Sequence, residues 1–142
     1  MRSSRRARGF TYIGVLLAVA LCGVGLAAAG QSWHTAVKRS KERDLQFAGA
    51  EFRRALESYY AASPGGTREF PRNLQDLLLD PRHPVTRRHL RRIYVDPVTG
   101  RAEWGVILEA GRIVGVHSLS RERPFRGRAA RYADWQFVAG RP

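Results

Sequence analysis

The sequence predicts an α+β fold, a long N-terminal helix packed on a small antiparallel β-sheet, and three observations carry that expectation. Residues Phe10 to Gly30 contain no charged side chain. Beyond them apolar residues recur at Leu45, Ala48, Phe52, Leu56 and Tyr59, close to a 3.6-residue period. Two apolar stretches, 101–108 and 113–118, flank a Gly-containing turn as the arms of a hairpin do. The 142 residues, 44% apolar, supply one small packed domain rather than two. A net charge of +13, from 25 Lys and Arg against 12 Asp and Glu, would suit a basic tail, but the apolar content is too high for disorder. Cys22 is the only cysteine, which excludes an intrachain disulfide, a Cys-x-x-Cys redox pair and a multi-cysteine zinc site.

The N-terminus divides sharply. Met1 to Gly9 carries four arginines, and the 21 uncharged residues from Phe10 to Gly30 would cover about 30 Å as a helix, the thickness of a hydrocarbon core. Residues 10–30 are therefore expected to form a transmembrane helix with a cytoplasmic N-terminus, although Lys38, Arg39, Lys41 and Arg43 follow it. Trp33 would then sit as an interfacial anchor. A removable secretory signal ending near Ala27-Ala28-Ala29 is the rival, but its apolar run would exceed the usual h-region of about 15 residues. The twin arginines Arg5 and Arg6 lack the apolar pair that a twin-arginine export signal needs.

No proline interrupts the chain before Pro64, so the helix is expected to continue, with Glu51, Arg53, Arg54 and Glu57 off its apolar stripe and Ser63-Pro64-Gly65-Gly66 as its stop. Asn73 is a cap for a second short helix with Leu74, Leu77 and Leu78 on its apolar side and Asp80-Pro81 at its end. Ile93-Tyr94-Val95 reads as a short strand, and Asp96-Pro97-Val98-Thr99-Gly100 as a turn. In the next strand the alternation places Ala102, Trp104, Val106 and Leu108 on one face and Arg101, Glu103, Gly105 and Ile107 on the other. Glu109 to Arg112 turns the chain into Ile113–Ser118; 121–131 reads as loop, and Trp135–Val138 as a last strand.

The junction Arg8-Gly9-Phe10-Thr11-Tyr12-Ile13-Gly14-Val15-Leu16-Leu17 resembles the class III signal of type IV pilins and type II secretion pseudopilins. The resemblance implies a leader over 1–9, an assembly helix over 10–30 that is also the membrane anchor, and a periplasmic pilin-like domain over 31–142. It implies further that a prepilin peptidase cuts after Gly9 and that Phe10 becomes the methylated first residue. Phe10 and Gly14 fall on the assembly surface, with other pilin or pseudopilin subunits, an inner-membrane assembly platform and membrane lipid as partners. Gly14 stands where the family usually has Glu, and Gln31 where major subunits often have Pro. Both departures point to a minor pseudopilin, with a minor type IV pilin in adhesion or DNA uptake, or a single-pass anchored interaction domain, as alternatives.

Little in the sequence suggests catalysis. His34, His83, His89 and His117 lie in no metal-ligand spacing, and His117 and Ser118, being adjacent on a strand, point to opposite faces. There is no Gly-x-Ser-x-Gly elbow and no phosphate-binding Gly-x-x-x-x-Gly-Lys loop. The expectation is no enzyme, no cofactor and no metal. The late carboxylates Glu122 and Asp134 stand among Arg121, Arg123, Arg126, Arg128 and Arg131, the wrong sign for calcium. The basic run Arg82, His83, Arg87, Arg88, His89, Arg91 and Arg92 is expected to be a solvated face, and nucleic acid is disfavoured because no aromatic is interleaved to stack on bases.

Overall fold

The computed structural model describes residues 8–140, with side chains over 12–26 and 33–140; residues 1–7 of the expected leader lie outside the described residues. Helix α1 runs Arg8–Ala61. The chain divides into two compact units whose boundary falls between Lys38 and Arg39.

The expectation for the first half of the helix is corrected. Among the described residues no helix is long and apolar enough to cross a membrane. The reading of the N-terminal helix as membrane span plus domain spine falls on that finding. So does the single-pass inner-membrane location with a cytoplasmic N-terminus and periplasmic domain, and Trp33, exposed in α1, loses its interface.

The second unit is α+β with a three-stranded antiparallel sheet. Its core begins on α1, where Leu45, Ala48, Phe52, Leu56 and Tyr59 are all buried, as the 3.6-residue stripe requires. Trp104, Ile113, Val116 and Tyr132 complete that core from the rest of the chain. Arg53 and Arg54 stay in solvent, and Arg54 pairs with Glu51 one turn back. The helix stops at a 3-10 turn, Pro64–Gly66, where Gly65 and Gly66 adopt φ of 71° and 79°.

The expected second helix is a single 3-10 turn, Leu74–Leu77. Asn73 makes no side-chain cap; the Asp76 carboxylate instead accepts the backbone N–H groups of Arg72 and Asn73 at 3.2 and 3.1 Å. Four residues cannot bury an amphipathic face, so Leu77 is anchored differently. Its carbonyl accepts N–H groups from both His89 and Leu90, which ties the following connector to it.

Ile93–Val95 is not a strand; its fixed point is the Tyr94 carbonyl, which accepts the indole N–H of Trp104 at 2.8 Å. The turn at 96–100 forms, closed by Gly100 N–H on the Asp96 carbonyl at 2.8 Å with Gly100 at φ 73°. Strands β1, Gly105–Glu109, and β2, Arg112–His117, form the hairpin. Ala110 and Gly111, at φ 49° and 75°, make its two-residue turn, as a type I′ connection demands. Strand β3, Gln136–Val138, pairs with β2, giving the order β1-β2-β3.

The expected faces of the first strand are corrected. Trp104 is buried but precedes β1, whereas Val106 and Leu108 are exposed and Ile107 packs on the core. Within β1 the alternation holds in the opposite phase, with Gly105 and Ile107 half-buried and Val106 and Leu108 exposed, because Trp104 is buried from the segment before the strand and does not set its phase.

Helix and sheet meet most closely at Gly49, where a Cβ would overlap the ring of Phe137 on β3. Replacing Gly49 by Ala gains helix propensity but forces the ring to move, and overpacking of this kind costs about 1–3 kcal/mol. Urea unfolding of Gly49→Ala should show a lowered midpoint, restored at least in part by Phe137→Leu; an unchanged midpoint in the single variant would contradict this packing.

Candidate functional site

Three regions concentrate unusual physical chemistry. The first lies in the N-terminal unit, where nine large apolar or aromatic side chains are each more than half exposed: Tyr12, Ile13, Val15, Leu16, Leu17, Val19, Leu21, Val24 and Leu26. They surround the helix rather than forming one stripe, and a helix that is apolar all round is stable only when something covers it. Gly14, Gly23 and Gly25 present open space, with no atom within 4 Å of where a Cβ would stand. Bare positions of this kind let a second helix approach closely. Gly9 and Phe10, expected from the sequence to flank a cleavage site, lie in the first turn of α1.

The second region joins the end of α1 to the basic connector. Asp80 is fully enclosed, and Arg82 grips it twice, Nε to Oδ1 at 2.9 Å and Nη2 to Oδ2 at 2.7 Å. The same guanidinium donates to the Ser63 hydroxyl at 2.6 Å and the Tyr59 carbonyl at 2.8 Å, and lies 3.5 Å from the centre of the Tyr59 ring. The Arg82 hydrogen bond holds Asp80 well below the usual carboxylate range against the opposing effect of burial, and Asp80 in turn raises Arg82.

His89 sits between Asp80 Oδ2, 3.2 Å from Nε2, and the Ser58 hydroxyl, 2.8 Å from Nδ1. Asp80 can only accept, so the neutral ring carries its proton on Nε2 and accepts from Ser58 on Nδ1. Burial lowers the His89 pKa and outweighs the attraction of Asp80. Ser58, His89 and Asp80 thus form a hydroxyl, imidazole and carboxylate in series, but Arg82 already neutralises the carboxylate that would have to stabilise an imidazolium. The arrangement is a clasp between helix and connector.

This corrects the reading of residues 82–92 as a uniformly solvated face. Arg82 and His89 point inward, and His83 Nε2 lies 3.0 Å from the Ala62 carbonyl; Arg87, Arg88 and Arg91 are exposed. His117 and Ser118 serve separate partners, His117 Nδ1 the Ser118 carbonyl at 2.9 Å and Ser118 Oγ the Asp96 carboxylate at 2.6 Å. Of the late carboxylates, Asp134 accepts the Arg131 N–H at 2.9 Å and Glu122 is exposed.

The third region centres on Glu42, a residue the sequence did not single out, which is 3% exposed. Its Oε1 accepts the backbone N–H groups of Phe125 and Arg126 and the Tyr132 hydroxyl at 3.0 Å. Burial, and then the bond to Glu42, push the Tyr132 pKa up to about 12. Glu42 Oε2 is buried with no donor from the protein. The signal was the spacing Arg39, Glu42, Arg43, Gln46, which is i, i+3, i+4, i+7 on one helix face; these four line one cavity with Arg126.

No family model, curated protein or solved structure matches the chain.

The clasp predicts an acid-sensitive stability. Because the folded pKa of His89 is depressed, the unfolded chain binds its proton more readily, and the contribution of the neutral ring is complete only above the unfolded value of about 6.5. The Asp80 contribution has the same sign, is complete above about 3.9 and is lost below that toward its folded value. The urea midpoint should therefore begin to fall below about pH 6.5 and fall again below about pH 4. His89→Gln, which keeps a donor and an acceptor, should remove the first decline; an unaltered profile would contradict the assignment. Arg82→Gln leaves Asp80 an unpaired enclosed charge and should cost about 3–5 kcal/mol at neutral pH.

Proposed function

We propose that this chain is a pseudopilin-like structural subunit of a pilus-like machine, a type II secretion system or a relative of one, and that its N-terminal helical segment assembles against the same segment of other subunits. The observation that carries the reading is the exposed, uncharged surface of Tyr12–Leu26. Fully burying one such side chain is worth about 1.5–3 kcal/mol, so nine of them exceed about 10 kcal/mol gross. That is enough to offset much of an association cost of about 4–15 kcal/mol. Leu17 lies near the middle of the segment, and a charge there would be stranded in the assembled bundle.

The resemblance of the Gly9-Phe10 junction to a prepilin cleavage site supports the same reading and implies a prepilin peptidase as a partner. Gly14, where the family usually has Glu, gives the subunit no carboxylate to pair with the free amine of a neighbour. A subunit lacking that pair has less to direct its addition to a growing fibre, which fits a minor subunit.

When the chain is produced with a prepilin peptidase, its N-terminal sequence should begin at Phe10, and an unprocessed Met1 terminus or a start near Gly30 would overturn the reading. Overexpressed without partner subunits, the chain should give short assemblies and no long fibres. Gly14→Glu should lengthen them and Leu17→Lys should abolish them. Long fibres from the unaltered chain would contradict the minor-subunit assignment.

A further inference from the structure

We propose that the cavity beside Glu42 is a binding site for a hydrogen phosphate group, free or as a monoester. The cavity encloses about 330 Å³ and is lined by Arg39, Glu42, Arg43, Gln46 and Arg126. Among the described residues none of its three arginines is ion-paired with a carboxylate; the pairs that do form use other arginines. Arg39 is instead held 4.8 Å above the ring of Phe125. Three arginines lining one space suit a tetrahedral oxyanion, which accepts paired N–H bonds from guanidinium groups.

Glu42 decides which oxyanion. A bare carboxylate would repel a dianion, yet this one is fixed in place. Its Oε1 is committed to the backbone of Phe125 and Arg126 and to Tyr132, and the two backbone bonds also set Arg126 at the rim of the cavity. Its buried Oε2 still needs a donor, and leaving such an acceptor unmet costs about 1–3 kcal/mol or more. A phosphate that retains one proton offers both what the arginines require and what Oε2 requires, through its P–OH. Sulfate offers only the first. The site is thus a filter for protonated oxyanions, and it stands independently of any role in fibres.

The test is isothermal titration of the full chain in mild non-ionic detergent at about pH 6, close to the second pKa of a phosphate monoester. Inorganic phosphate, glycerol 3-phosphate and sulfate are compared at one ionic strength. A chain of charge +13 attracts any dianion non-specifically, so sulfate reports that background. The expected result is saturable phosphate binding at least about tenfold tighter than sulfate, one 1.4 kcal/mol step in the affinity scale; inorganic phosphate, which keeps one P–OH as its dianion, should hold that advantage as pH rises, whereas a monoester should lose it above its second pKa of about 6. Comparable binding of glycerol 3-phosphate would identify a monoester as the ligand, and its rejection would identify the free ion.

Glu42→Gln keeps an acceptor for the backbone and turns the other atom into a donor, so sulfate should then bind within about threefold of phosphate, a change of the discrimination alone. Arg43→Gln, at an exposed position, should weaken phosphate at least about tenfold with no change in the unfolding midpoint. Equal binding of sulfate and phosphate by the unaltered chain, no saturable binding at all, or an Arg43→Gln variant that binds as before would each overturn the proposal.

Discussion

Among the described residues at least six carboxylates accept backbone N–H bonds, and the globular unit depends on them. Its three strands are short, so most of its backbone outside α1 is irregular and lacks a ladder to satisfy its polar groups. Glu42 holds the loop at 125–126, Glu57 the chain at Gly140, and Asp76 the turn after Pro71. Asp80, Asp96 and Asp134 do the same for Arg82, for Val98 and Thr99, and for Arg131. In a chain with twice as many basic as acidic residues, this leaves few carboxylates to neutralise surface arginines.

Helix α1 supplies the other half of the arrangement. Glu42 and Glu57 reach from it to late parts of the chain, and its buried stripe is the floor on which Trp104, Tyr132 and the hairpin rest. Aromatic contacts of Phe52 with Trp104, at 5.0 Å between ring centres, and of Tyr60 with Phe70, at 4.5 Å, close the two ends of that floor. A loop domain organised by side-chain acceptors can change its loops while keeping its spine.

What was legible in the sequence follows the same division. Periodicity identified Leu45 to Tyr59 because a helix face buried on one side leaves a repeating mark, and Ala110-Gly111 stood where two apolar stretches needed a turn. The face of β1 was misassigned because the buried Trp104, which precedes the strand, set the phase of the expected alternation. Glu42 carried only the helix-face spacing of Arg39, Glu42, Arg43 and Gln46, because its partner Tyr132 lies 90 positions away; Asp80 and His89 read as a helix stop and part of a basic face because the Ser58 hydroxyl that His89 meets lies 31 positions back on α1. The expectation of a membrane span rested on an uncharged run, and helix length and apolarity among the described residues overturn it. The apolar exposure of Tyr12–Leu26 nonetheless requires a cover, and other subunits are the cover proposed.

Cys22 gives the most direct test, since the only cysteine of the chain lies exposed within that segment. If helices of neighbouring subunits pack there, mild oxidation of the native full chain should yield Cys22-linked dimers well before a Cys22→Ser, Arg54→Cys variant forms any through its exposed cysteine, and the difference should vanish in urea. Equal rates of cross-linking at positions 22 and 54 in the native protein would contradict assembly through the N-terminal segment.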